Sequence, residues 1–221
     1  LKNFTPDFVA RKSVACFGNR IICLGSGISN SNVNYPTETT LFQCALPAKY
    51  QPAVLEDSCT LKDPFGNYFY IQKGKPHQTE GLQHSFHNKS RKATEGKFLT
   101  AWIDHGKAPQ NAEYEYLILL RPTEKERKGA RQSYIIKQQD CQAHIVFDKL
   151  TQVTACSFFE AYQNTQAELI QQADAETLVM YKKNESGIQL SICSPNLNIE
   201  EKTYTTSQPS RPVVKQITIK G

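Results

Sequence analysis

The chain has 221 residues, of which 39% are hydrophobic, 10% aromatic and 21% charged, a globular composition rather than a disordered or fibrous one. No run nears the roughly 20 apolar residues needed to cross a bilayer, and no basic segment followed by an apolar core marks a signal peptide. The net charge of +5 is a mild basic excess, below the level that makes nucleic acid the default partner.

The length leaves room for one large or two small β units. The chain opens at Leu1, and its first strand begins within about a dozen residues; the expectation is a fragment of a longer protein. Ser13–Phe17 and Arg20–Leu24 read as strands joined at Gly18-Asn19, a strong short-range hairpin signal. The polar stretch from Gly25 to Pro36 is expected to be a loop, and Thr37–Gln43 the third strand, with Glu38 where the loop re-enters the sheet. Loops on a rigid sheet are where binding groups gather.

Val54–Leu55 and Ser58–Leu61 are weak strand candidates, Asp63–Asn67 is a turn, and Tyr68–Gln72 is an aromatic-rich strand. Gly74–Glu95 reads as a long polar excursion with at most one strand. Phe98–Asp104 and Ala112–Arg121 are expected to pair across Gly106–Asn111; the second passes from alternation into a continuous apolar run, as a strand entering a buried sheet does. Thr123–Gln132 fits one short surface helix, at some cost from Gly129.

Ser133–Ile136, Ala143–Phe147, Val153–Phe159, Thr177–Lys182, Ile188–Cys193 and Pro212–Ile219 read as further strands, and Thr165–Ala173 as a helical turn or two. Many short strands with few helices define an all-β, antiparallel, multi-stranded sandwich. Residues 1–221 are taken as β-sandwich, with a weak subdivision near Gln138–Asp140.

The seven cysteines, Cys16, Cys23, Cys44, Cys59, Cys141, Cys156 and Cys193, form no paired spacing and argue against a disulfide framework. Four sit in apolar strand patterns, and most are expected to be buried thiols. Gly25-Ser26-Gly27 lacks the strand–helix context of a phosphate loop, and no nucleophile elbow is present. His77, His84 and His87 share one polar segment without a recognised ligand pattern, so an exposed loop is favoured over a metal site. His105, at a strand end near Trp102, either lines a cleft or caps the turn; the turn is favoured. The basic runs Lys89–Lys92 and Lys125–Arg131 read first as solvated faces, and second as contacts for an anionic polymer.

Thr94-Glu-Gly-Lys-Phe-Leu-Thr-Ala-Trp-Ile-Asp-His-Gly106 and Glu113-Tyr-Glu-Tyr-Leu-Ile-Leu-Leu120 stand with Arg11–Ser13, Gly18–Ser26 and the block Glu38-Thr-Thr-Leu-Phe-Gln43. These segments resemble the β-sheet portion of the chondroitin ABC lyases, in the polysaccharide lyase family that also holds hyaluronate and chondroitin AC lyases. His144–Leu150 and Ser194–Asn198 agree, so the resemblance runs from about Phe8 to Ile219.

The resemblance implies a galactose-mutarotase-like supersandwich. It implies β-elimination at a hexosaminyl-(1,4)-hexuronate bond of chondroitin or dermatan sulfate, with the anionic glycosaminoglycan and an N-terminal α-helical toroid as partners. Glu38 matches the single acid that the family's β domain contributes. No long helical region stands in these 221 residues, and Tyr35, His84, His105 and Arg20 match none of the toroid's His, Tyr or Arg positions. The resemblance further implies a periplasmic or secreted bacterial protein; no cofactor is expected, charge and hydropathy point to neither nucleic acid nor membrane as partner, and a divalent cation in the parent enzyme stays open. The rival reading is a non-catalytic carbohydrate-binding or structural sandwich; a binding module would keep salt-dependent affinity as an isolated chain, whereas a support domain would show little.

Overall fold

The computed structural model describes residues 7–47, 49–50, 55, 57–196 and 215–219, in two compact units, Leu1–Arg131 and Gln132–Gly221. In the first unit β1 (Val9–Phe17) and β2 (Arg20–Ser29) form the expected hairpin. Phe17 pairs with Arg20 across a two-residue turn, and Gly18 takes φ +62°, as a type II′ turn requires of its first central residue. The strand does not stop at Leu24, as the sequence suggests. Gly25, Ser26 and Ser29 stay paired with β1, while a bulge opposite β8 absorbs the irregularity between Gly25 and Ile28. The connection is thereby cut to the residues between Ser29 and Pro36.

Then come β3 (Pro36–Ala45), β4 (Thr60–Lys62), β5 (Tyr68–Lys73), β6 (Lys75–Phe86), β7 (Ala93–Lys107) and β8 (Ala112–Leu119). Val54, of the weak candidate Val54–Leu55, lies outside the described residues. The expected turn at Asp63 is built by its own carboxylate, which accepts from the backbone nitrogens of Phe65 and Asn67, each at 2.9 Å.

A five-stranded sheet, β1-β2-β8-β5-β4, faces a three-stranded sheet, β3-β7-β6, all antiparallel. Cys23, Phe69, Ile71, Tyr114 and Tyr116 from the first sheet and Phe42, Leu99, Ala101 and Ile103 from the second fill the space between them. Each buried large apolar side chain there contributes about 1.5–3 kcal/mol. Leu117 and Leu119, on the opposite face of β8, are as buried as Tyr114 and Tyr116, which is why that stretch reads as a continuous apolar run.

Two further sequence expectations are corrected in this unit. Gly74–Glu95 is no excursion: it holds the whole of β6, which pairs with β7 from Lys75↔Asp104 to Phe86↔Ala93. Strands β7 and β8 are not ladder partners but belong to opposite sheets. Their link crosses the sandwich, using left-handed Ala108 and Asn111. Adjacency in sequence favours a hairpin, yet the inward residues of both strands fill one core only when the strands face each other.

After β8 the chain forms one turn of helix, α1 (Glu124–Arg127), with a Thr123/Glu126 capping box, and a short 3₁₀ turn over Ala130–Gln132. No helix among the described residues is long and apolar enough to cross a membrane.

The second unit holds β9 (Tyr134–Gln139), β10 (Ala143–Asp148), β11 (Val153–Phe158), β12 (Tyr162–Gln163), β13 (Ile170–Ala173), β14 (Thr177–Asn184), β15 (Gly187–Cys193) and β16 (Ile217–Ile219). They form the sheets β15-β14-β11-β10-β9 and β12-β13-β16. Gln138–Asp140 falls on the β9–β10 hairpin, inside this unit. The expected helical turn over Thr165–Ala173 is instead bends and β13, because Ala167, Leu169, Ile170 and Ala173 all enter a core with Phe158 and Tyr181. Residues 212–214 of the expected last strand lie outside the described residues.

Candidate functional site

Strand β3 alternates: Thr39 and Phe42 are buried, and Glu38 and Thr40 are exposed. Glu38 therefore stands on the outer face of the three-stranded sheet, outside the closed core. Register sets Asp104 of β7 directly opposite it, with Lys75 of β6 opposite Asp104, so two acids and a lysine share one row across the face. The next row carries Thr40, Trp102 and His77. The His77 and Trp102 rings stack with centroids 5.6 Å apart.

Both neighbours of Glu38 are anchored. Thr37 accepts from the Asn30 side-chain nitrogen at 2.8 Å, and the Thr39 hydroxyl lies 2.9 Å from His105 Nε2. Asn30 is 4% exposed, and all its polar groups are used. Its backbone N–H donates to the Pro109 carbonyl at 3.2 Å. Its own carbonyl accepts from Gln110 at 3.2 Å, and its side-chain oxygen accepts from the Asn32 backbone at 2.9 Å. A buried asparagine satisfied at every group fixes its surroundings.

Asn32 continues the construction, its side-chain oxygen accepting from the backbone of Asn34 and Tyr35. Hydrogen bonds from Ser31 hold the Asp7 carboxyl below the ordinary carboxylate range. Phe8, Asn30, Asn32, Tyr35, Pro36, Thr37 and Glu38 surround a hollow of about 410 Å³. Among the described residues nothing donates to the Glu38 carboxylate, which leaves its acceptor capacity open to a group from outside.

The other sequence candidates are dispersed. His105 lies on the face of β7 opposite to Asp104. Burial and the nearby Lys12 charge depress its pKa below the ordinary histidine value, against a weaker upward pull from Asp104. It does not cap the turn: Asp104 does, its carboxylate accepting from the Gly106 backbone at 2.8 Å. His77 has its Nε2 4.0 Å from Asp104, His84 lies 3.4 Å from Glu95, and His87 engages Ser90. His77 and His84 sit on β6 rather than on an exposed loop, and among the described residues no three potential ligands gather for a metal.

Tyr35 is exposed at the hollow, while Arg20 starts β2 opposite Leu119. All seven cysteines are free, but only Cys23 and Cys156 are buried; Cys16, Cys141 and Cys193 are exposed. The expectation that most are buried fails because alternation turns some strand cysteines outward. Asp104 and Asn30 escaped notice in the sequence. The alternation in Trp102-Ile-Asp-His105 separates Asp104 from His105, but register alone brings Asp104 opposite Glu38.

Solved structures of polysaccharide lyases share this fold. The Streptomyces coelicolor chondroitin AC lyase in complex with chondroitin sulphate superposes with a TM-score of 0.71 at 20% identity, over 84% of this chain and 26% of that one. A Paenibacillus xanthan lyase gives 0.70 at 21% identity, over 86% and 21%. The fold is that of the β-sandwich domains of polysaccharide lyases. The model of the polysaccharide lyase family 8 super-sandwich domain matches residues 1–130, up to the border between the two units, and the chain belongs to that family.

Among curated relatives, the chondroitin sulfate ABC exolyase of Proteus vulgaris is 38% identical over 86% of this chain and 20% of its own length. The chondroitin sulfate ABC endolyase of the same organism is 32% identical over 100% of this chain and 23% of its own. The chain thus spans about a fifth of the length of these relatives.

Proposed function

We propose that the chain is the β-sheet part of a lyase for chondroitin or dermatan sulfate, and that Glu38 belongs to the catalytic centre of the whole protein. The observation that carries this reading is the Glu38 carboxylate itself. It is exposed beside a hollow, held between two anchored threonines, and unpartnered among the described residues.

In β-elimination a base takes the C5 proton of the hexuronate, the electron pair forms the C4–C5 double bond, and the C4–O4 bond breaks as the leaving oxygen gains a proton. The C5 proton is poorly acidic beside a carboxylate, so the site must neutralise that carboxylate and stabilise the enolate-like intermediate. His105 is turned to the other face and engages Thr39, so it does not relay to Glu38. The part of Glu38 is to accept hydrogen bonds from the His, Tyr or Arg of a helical partner domain and hold them in register. A charge-assisted bond of this kind is stronger than a neutral one. A polysaccharide is too large to cross a cell envelope, so the same reading puts the working protein outside the cytoplasm.

The test is Glu38→Gln in the native polypeptide that carries this chain, followed by the ultraviolet absorbance of the unsaturated uronate. A fall in kcat of about 100-fold or more with a nearly unchanged KM is expected. Normal kinetics would remove Glu38 from the mechanism. The 221-residue chain alone is expected to show no turnover.

A further inference from the structure

The β6–β7 hairpin is longer than the sheet that holds it. Strand β3 pairs with β7 only as far as Ala45↔Phe98, and a last bond runs from the Leu46 backbone to Lys97. Beyond that, among the described residues, Gln83–Phe86 and Ala93–Gly96 pair only with each other. Two-stranded ribbons are marginal by themselves, yet this one is finished at its tip. The His87 N–H donates to the Lys92 carbonyl and the Arg91 N–H to the His87 carbonyl, each at 2.9 Å. Arg91 is left-handed, at φ +56°.

Residues 82–97 contain Lys89, Arg91, Lys92 and Lys97 against the single acid Glu95, a net +3 out of +5 for the whole chain. Leu82 is 54% and Phe86 62% exposed, and the Arg91 guanidinium lies 5.7 Å from the Phe86 ring centre. His84, Ser85, Phe86, Ala93, Thr94 and Glu95 line an open hollow of about 670 Å³. Lysines on an edge strand ordinarily serve to block edge-to-edge pairing. Here the cations crowd one end, around a ring and hydroxyl groups, a combination suited to a hydrated polymer that carries sulfate and carboxylate on an apolar sugar ring.

We propose that the free end of the β6–β7 hairpin is a second contact for sulfated glycosaminoglycan, separate from the Glu38 hollow. The proposal rests on the lyase reading for its choice of polyanion. Asp104, opposite Glu38, is eleven residues along β7 from Ala93, roughly 35 Å at the rise of a strand. The arm therefore engages only chains several sugars long, and its effect belongs to polymer rather than to short oligosaccharides.

The test compares the 221-residue chain with K89Q/R91Q/K92Q and with K125Q/K128Q, which removes charge from α1 instead. Retention of each fold is checked by circular dichroism and melting. Binding to chondroitin sulfate should weaken with added salt and fall about tenfold in the hairpin variant, with little change in the helix variant. Equal losses in the two variants, equal affinity for desulfated chondroitin, or tighter binding to duplex DNA would each overturn the proposal. In the native polypeptide, the hairpin variant should raise KM for polymer and leave turnover of a tetrasaccharide unchanged. An unchanged polymer KM counts against the arm, whereas absent turnover in the unmutated protein counts against the lyase reading and leaves the binding comparison standing. Retained affinity does not by itself favour a pure binding module, because the arm supplies it in either case; Glu38→Gln separates the two.

Discussion

The Asn30 amide nitrogen donates to the Thr37 hydroxyl over 2.8 Å, so the residue that closes β2 determines where β3 begins and where Glu38 stands. Asn30→Ala deprives the Asn32 backbone N–H of its acceptor as well as freeing Thr37. A loss of about 1–3 kcal/mol is expected by urea denaturation, the usual cost of stranded polar groups. Combined with Thr37→Val, the two changes should be non-additive by roughly 0.5–1.5 kcal/mol; full additivity would show that the Asn30–Thr37 bond carries no stability.

His105 gives the fold a pH dependence of definite sign. Its folded pKa is depressed by burial and by Lys12, so the unfolded chain binds the proton more readily. Stability is full above the unfolded value of about 6.5 and is lost as pH falls through the folded pKa. His105→Gln should flatten melting temperature against pH just below 6.5, while the losses from Asp140 and Glu168, whose pKa values are lowered, remain at lower pH. An unaltered profile in the variant would assign the dependence elsewhere.

Gly25 is small because Tyr114 requires it. A Cβ at that position overlaps the Tyr114 ring, whereas one at Gly81 meets nothing within 4 Å. Gly25→Ala should cost about 1–3 kcal/mol as an overpacking change, and Gly81→Ala should be nearly neutral. Pairing Gly25→Ala with Tyr114→Leu should recover part of the loss relative to Tyr114→Leu alone; no recovery would place the strain in the backbone.

Thiol reactivity should divide along burial. Desolvation pushes the Cys23 thiol up to about 11 and that of Cys156 to about 12, and both are buried. Thiolate is the reactive form, so brief alkylation of the native chain at pH 8, read by peptide mass spectrometry, should mark Cys16, Cys141 and Cys193 first. Early labelling of Cys156 would contradict the packing of the second unit.

Much of the architecture is legible in local pattern. The Gly18-Asn19 turn and the apolar run of β8 each follow from rules acting over a few residues, whereas Glu38 stands out through the family's residue block. The β7–β8 connection was misread because two strands joined by a short link look the same whether they pair or face each other. Gly74–Glu95 reads as a long excursion with at most one strand because the polar outer residues of β6 hide a ladder supplied by β7. Asp104 became Glu38's neighbour only through register, and the basic run Lys89–Lys92 became the tip of an arm only because β6 and β7 outrun β3.

Side-chain periodicity, turn chemistry and the family's residue blocks are written along the chain, and they sufficed for an all-β lyase domain with one conspicuous acid. The choice of which strands stack and which pair, and what stands opposite that acid, was made by tertiary structure. Those choices depend on the joint burial of residues far apart in sequence, whose energy no single segment contains.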